Sequence, residues 1–212
     1  MNKYKIVSIV LSVALLVHIV RLAWVFVAPS SGDGVSSASQ TVLHNILQRK
    51  SVRAYTDRAV SHEQLDTLIR AAMAAPTGRD MRPWHFIVLE GRHQLSPLAK
   101  QLPYAKMLAE AQAAVVVCGD MSVTDKEGNP SRNWTFDCSA ATENLLLQAE
   151  AMGLGAVWTG VYPYEERQTA VSQALQLPEH IIPLNLIPIG YPKGDPQPKD
   201  KYNADNVHFN GW

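Results

Sequence analysis

The sequence predicts an α+β domain, a mixed β-sheet with helices packed against it. Three observations point there. Four short apolar runs of strand length, at 84–89, 113–118, 155–159 and 183–189, are separated by segments whose apolar residues recur every three or four positions. Gly, Pro and polar clusters punctuate the junctions between them. Residues 41–212 are also enough chain for one domain with a real core.

The elements follow in order. Residues 1–5 are short and basic, and 6–28 are nearly all apolar apart from His18 and Arg21. As a helix, 6–28 would span about 35 Å, enough for a bilayer core. It is expected to be an uncleaved signal-anchor or a cleaved signal peptide. The localisation that follows is a single-helix anchor, in a bacterial inner membrane, or export. Residues 29–40 have the composition of a flexible tether, and 41–212 form the domain. Val42, Leu43, Ile46 and Leu47 share one helix face. Ser61 and Gln64 are spaced as a capping box, and the helix they start should stop before Pro76. After the strand at 84–89 come two short helices, 93–100 and 103–111. The strand at 113–118 leads to a polar loop, 122–133. A long helix, 135–152, has apolar residues round more than half its circumference, so several neighbours should cover it, a partner subunit among them. The strand at 155–159, a helix at 165–175, the strand at 183–189 and a polar tail ending in Phe209 and Trp212 complete the chain.

The charge balance limits the function. Lys+Arg and Asp+Glu stand at 19 each, which does not suit a general nucleic-acid binder. Cys118 and Cys138 do not form a CxxC, and the histidines show no metal spacing. No Ser–His–Asp or Cys–His set is recognisable, so no side chain is expected to be catalytic itself. What the chain does offer is anion-binding chemistry. In an extended RKSVR segment, Arg49, Ser51 and Arg53 share one face while Val52 points inward. Two guanidiniums and a hydroxyl suit a phosphate, although a solvated basic loop has the same composition. Gly155 to Gly160 is not a GxGxxG, but a strand ending in Thr-Gly can present N–H groups to a planar ligand. Anion-binding groups without an acid, base or nucleophile point to a cofactor that carries the chemistry.

Three stretches, in this order, resemble the nitroreductase family of FMN-dependent oxidoreductases. They are RKSVRAYTDRAVSHEQLDTLIRAAMAAPTGRDMRPWHFIVL, AATENLLLQAEAMGLGAVWTGVYP and IPIGYPKGDPQPKDKY. The resemblance covers about residues 41–212 and implies a homodimer with FMN at the subunit interface and NAD(P)H as co-substrate. It implies contacts to the phosphate and ribityl chain from Arg49 and Ser51, with Lys50 acting mainly through its backbone. It places Arg53 near the pyrimidine edge, Thr159 and Gly160 at N5 and O4, and either Lys199 or Lys201 at the phosphate. Pro76, Thr77 and Gly78 match a loop that comes over the flavin from the other subunit. In that loop the family commonly has Asn and Gln where this chain has Asp80 and Arg82. Aspartate only accepts and arginine only donates. Arg79 or Arg82 is therefore expected to compensate Asp80, with Arg82 towards the flavin and Asp80 in a structural pair. The implied activity is hydride transfer from NAD(P)H through FMN N5 to a nitroaromatic, quinone or enone, in ping-pong order. The alternatives are a membrane-tethered flavin- or ligand-binding module without turnover, and a family offshoot such as a reductive dehalogenase.

Overall fold

A computed structural model describes residues 37–212. The membrane localisation expected from the N-terminus is corrected here: among the described residues no helix is long and apolar enough to cross a membrane. The stretch 6–28, on which the anchor and signal-peptide expectations rest, lies outside the described residues.

Thr41–Trp212 forms one compact unit. Helix α1 spans Ser37–Gln48, beginning inside the segment expected to be a tether. Helix α2, His62–Met73, starts at the expected capping box: the Ser61 hydroxyl accepts from Gln64 N, and the Gln64 side chain accepts from Ser61 N. It ends at Ala74, two residues before Pro76. Strand β1 is Trp84–Glu90, helix α3 Arg92–Gln101, and a 3-10 segment covers Pro103–Ala109. Strand β2, Ala113–Asp120, precedes the long helix α4, Trp134–Ala151. Short strands β3, Gly155–Ala156, and β4, Thr159–Gly160, lead to helix α5, Glu165–Leu175, and strand β5, Ile181–Gly190.

The sheet runs β1-β2-β5-β3, with β4 also on β5. These named strands pair antiparallel, and a parallel bridge from Ser51 to Ala156 gives the sheet its mixed character. β2 is buried along its whole length because helices cover both faces. Val115 and Val117 pack with Leu65, Leu68 and Leu145 on one side. Ala114, Val116 and Cys118 pack with Leu95, Leu98 and Leu108 on the other. The sequence pattern predicts one strand at 155–159, but the structure has two pieces. β3 and β4 share one register on β5, which sets Val157 opposite Pro188. Proline has no N–H to give, so the ladder is interrupted there. The interruption separates Ala156, which bonds to the 49–53 segment, from Thr159 and Gly160.

Candidate functional site

The 49–53 segment is stitched onto β3. Val52 N donates to Ala156 O at 3.0 Å, and Ser51 bridges to the same residue. Val52 is buried, while Ser51 and Arg53 are exposed on the opposite face. The approach is so close that a Cβ on Gly155 would lie 2.6 Å from Val52 Cγ1. Arg49 is 18% exposed, and its Nε lies 3.1 Å from Glu143 Oε1 on α4. Lys50 turns the other way, with Nζ 2.7 Å from Glu150 Oε1. Arg49, Lys199 and Lys201 line one cavity of about 500 Å³, together with Glu143, Asp200 and Tyr202. The structure thus brings together three of the cations named from sequence, with two carboxylates among them.

Thr159 and Gly160 sit at the end of the same sheet edge. Thr159 Oγ1 is buried and has no hydrogen-bond partner among the described residues. Arg167 Nη1 holds the Gly160 carbonyl at 2.9 Å, and its guanidinium lies over the rings of Tyr104 and Tyr164. A Cβ on Gly160 would meet nothing within 4 Å, so the strand end borders open space.

The loop 76–83 has the tightest local geometry. Arg79, Asp80 and Arg82 all have positive φ, at 55°, 56° and 50°. Left-handed backbone costs about 1–2 kcal/mol for a residue other than glycine, least for Asp or Asn. Several contacts hold it. Asp137, 5% exposed on α4, accepts from Gly78 N and from the Thr77 hydroxyl, both at 3.1 Å. Thr77 Oγ1 in turn accepts from Arg82 N at 3.0 Å. Asp80 and Arg82 are each other's partners, with Arg82 Nε 2.7 Å from Asp80 Oδ1 and Nη2 bonded to Oδ2. The Arg82 guanidinium holds the Asp80 carboxyl below the usual carboxylate range. Arg79 lies 3.6 Å from Asp125 of the 122–133 loop. Pro76 lies two residues past the Ala74 cap of α2 and precedes Thr77 in the loop.

Sequence reasoning missed Asp137, Glu143 and Arg167. A lone carboxylate in the first turn of an apolar helix was the available signal for Asp137. Replacing Asp137 with Ala leaves the Gly78 N–H and Thr77 hydroxyl without their acceptor. We expect a loss of about 2–4 kcal/mol, measured by denaturant unfolding; an unchanged midpoint would show that the loop does not depend on this anchor.

Cys118 and Cys138 are free and buried on opposite faces of the sheet, and burial pushes each thiol up to about 12. Neither is a poised nucleophile. Among the described residues no cluster of His, Cys, Asp or Glu could hold a metal ion.

The fold and these motifs together match a known family. The nitroreductase family model matches residues 46–103 and 93–191. The chain belongs to the nitroreductase family. It is 54% identical, with a TM-score of 0.75, to a solved structure from Parabacteroides distasonis provisionally named as an NADH dehydrogenase/NAD(P)H nitroreductase. That match covers 81% of this chain and 99% of the other. A similarly named protein of Methanothermobacter thermautotrophicus is 43% identical over 171 residues, 81% of this chain and 87% of the relative. A provisionally named nitroreductase from Desulfovibrio desulfuricans, solved in complex with FMN, is 27% identical with a TM-score of 0.67, covering 81% and 97%.

Proposed function

We propose that this nitroreductase-family chain is an FMN-dependent NAD(P)H oxidoreductase. It acts as a homodimer that passes hydride from reduced nicotinamide to a nitroaromatic, quinone or enone in ping-pong order. The observation that carries this is the cavity gathering Arg49, Lys199 and Lys201 beside a backbone stitched to Ala156 of β3, three residues before the Thr159–Gly160 strand end. The residues present fit the cofactor. Cations line the cavity, Thr159 Oγ1 is a buried polar atom with no partner among the described residues, and the strand end at Gly160 borders open space.

Arg49 and Ser51 would hold the phosphate and ribityl chain, with Lys199 or Lys201 closing over the phosphate. Lys50 would contribute its backbone, since its side chain is committed to Glu150. When bound, FMN supplies the redox chemistry, taking a hydride at N5 and returning it to an acceptor. Thr159 and Gly160 would direct N–H groups at N5 and O4, and Arg167 fixes that strand end by its bond to the Gly160 carbonyl. Pro76, Thr77, Gly78, Arg79 and Arg82 would come over the flavin from a second copy of the chain, with Arg82 paired to Asp80. The dimer reading is supported by the large apolar side chains left uncovered, including Leu47, Phe136 and Phe209. Proton transfer needs no side chain in this scheme, and none is assigned to it.

The test is direct. The purified protein should show bound flavin absorbance, and anaerobic NADH or NADPH should bleach it. A protein that takes up no FMN overturns the proposal; one that binds FMN unbleached by either nucleotide is a binding module. Arg53 supplies positive charge at the pyrimidine edge, where negative charge develops on reduction. We expect Arg53→Gln to keep its flavin and to be reduced at least about tenfold more slowly in stopped flow. An unchanged rate would remove that role.

A further inference from the structure

A second cavity, of about 280 Å³, lies between the 77–82 loop and the 122–133 loop. It is bordered by Gly78, Arg79, Met81, Asp125, Arg132 and Asn133. Its size is near the lower end of the roughly 300–1,000 Å³ of small-molecule pockets. Its charges are two guanidiniums and one carboxylate. That carboxylate is already occupied: Asp125 Oδ1 accepts from Asn129 N at 2.9 Å and from Glu127 N at 3.0 Å. The Asn129 N–H leads the contacts that hold Asp125 below the usual carboxylate range. The remaining Asp125 oxygen reaches Arg79 only at 3.6 Å, beyond a hydrogen bond. Arg132 has no hydrogen-bond or ion-pair partner among the described residues. Asp137 fixes the Gly78 wall, and the Asp125–Asn129 turn fixes the other. The cavity is thus a cleft braced by hydrogen bonds on two sides, with more cationic than anionic groups, separate from the one that holds Arg49, Lys199 and Lys201.

We propose that this cleft is a second anion site. Arg79 and Arg132 hold a phosphate or carboxylate group carried by a substrate whose reacting part lies at the flavin. The proposal rests on the loop 76–83 coming over the flavin as described above. Two sources share this chemistry, the phosphates of the nicotinamide donor and a carboxylate on the acceptor.

The test is calorimetric binding to the full chain, with one equivalent of FMN per chain, so that the cavity of Arg49, Lys199 and Lys201 is filled and no free FMN competes for the cleft. The probes are adenosine 2′,5′-bisphosphate, ADP and 4-nitrobenzoate. At least one should bind the wild type, at least about tenfold more weakly to Arg132→Gln, with Arg132→Lys in between because it keeps the charge but loses the fork. Loss confined to the bisphosphate assigns the cleft to a 2′-phosphate. Loss of both nucleotides assigns it to the 5′-phosphate that they share, and loss of 4-nitrobenzoate alone to an acceptor carboxylate. If no probe binds the wild type, or if Arg132→Gln binds them equally well, the proposal is wrong. Flavin absorbance on the same samples separates this result from the fate of the oxidoreductase proposal: probe binding lost in Arg132→Gln by a protein that never takes up FMN would keep the site and remove that function.

Discussion

Arg49→Ala is expected to weaken FMN binding about a hundredfold, or about 2.7 kcal/mol, in titrations of the apoprotein followed by flavin fluorescence. The size follows from the geometry. Arg49 is largely withdrawn from solvent, so its charge is less screened than that of an exposed lysine. Its Nε lies 3.1 Å from Glu143 Oε1, an ion pair that orients the guanidinium. A planar fork presented in this way suits two phosphate oxygens at once. Arg49→Lys should recover part of the loss, because the charge returns without the fork. Lys199→Ala and Lys201→Ala, made singly, should differ from each other, and the weaker binder identifies the lysine that reaches the phosphate. An unchanged FMN affinity in Arg49→Ala would move the phosphate out of this cavity. The cavity would then need another ligand.

Much of this arrangement was legible in the sequence. The capping box at Ser61 and Gln64 fixed the start of α2, and Pro76 bounded its end. Alternation in RKSVR correctly turned Val52 inward, because an extended segment has only two sides and one of them is a core. The polar loop at 122–133 and the long apolar helix after it also lie where the pattern sets them. What could not be seen was whatever depends on pairing between distant residues. The gap between β3 and β4 comes from Pro188, more than twenty-five residues further on, and no local propensity at Val157 announces it. The mutual bond of Asp80 and Arg82 could be suspected from their charges. The left-handed backbone that goes with it, shared with Arg79, could not, since arginine seldom adopts that conformation. Asp137 belongs with these: its importance lies in two loop donors some sixty positions earlier in the chain.

Gly155→Ala should damage stability and FMN binding together, and the link between the two losses is the informative part. The added methyl would stand 2.6 Å from Val52 Cγ1 and 2.7 Å from its Cβ, well inside any contact real side chains make. Val52 is buried against the core and cannot rotate away. The 49–53 segment must therefore lift from β3, stretching the Val52 N to Ala156 O bond and the bridge at Ser51. Overpacking of this kind costs about 1–3 kcal/mol, to be measured by denaturant unfolding of the apoprotein. The same displacement carries Arg49, Ser51 and Arg53 off the face on which they are aligned, so FMN affinity should fall about tenfold or more although no cofactor contact has been changed. Val52→Ala in the Gly155→Ala background removes the two colliding Cγ methyls and leaves the contact with Cβ. The double variant should regain part of both losses, while Val52→Ala alone should be destabilising, and that opposite sign is what a direct contact produces in a double-mutant cycle. Additive losses would mean that the segment and the strand do not bear on each other. If the double variant recovers stability but not FMN affinity, the segment has settled back onto β3 in a different alignment. In that case the face shared by Arg49, Ser51 and Arg53 is set by the fit of Val52 against Gly155 as much as by the backbone bonds.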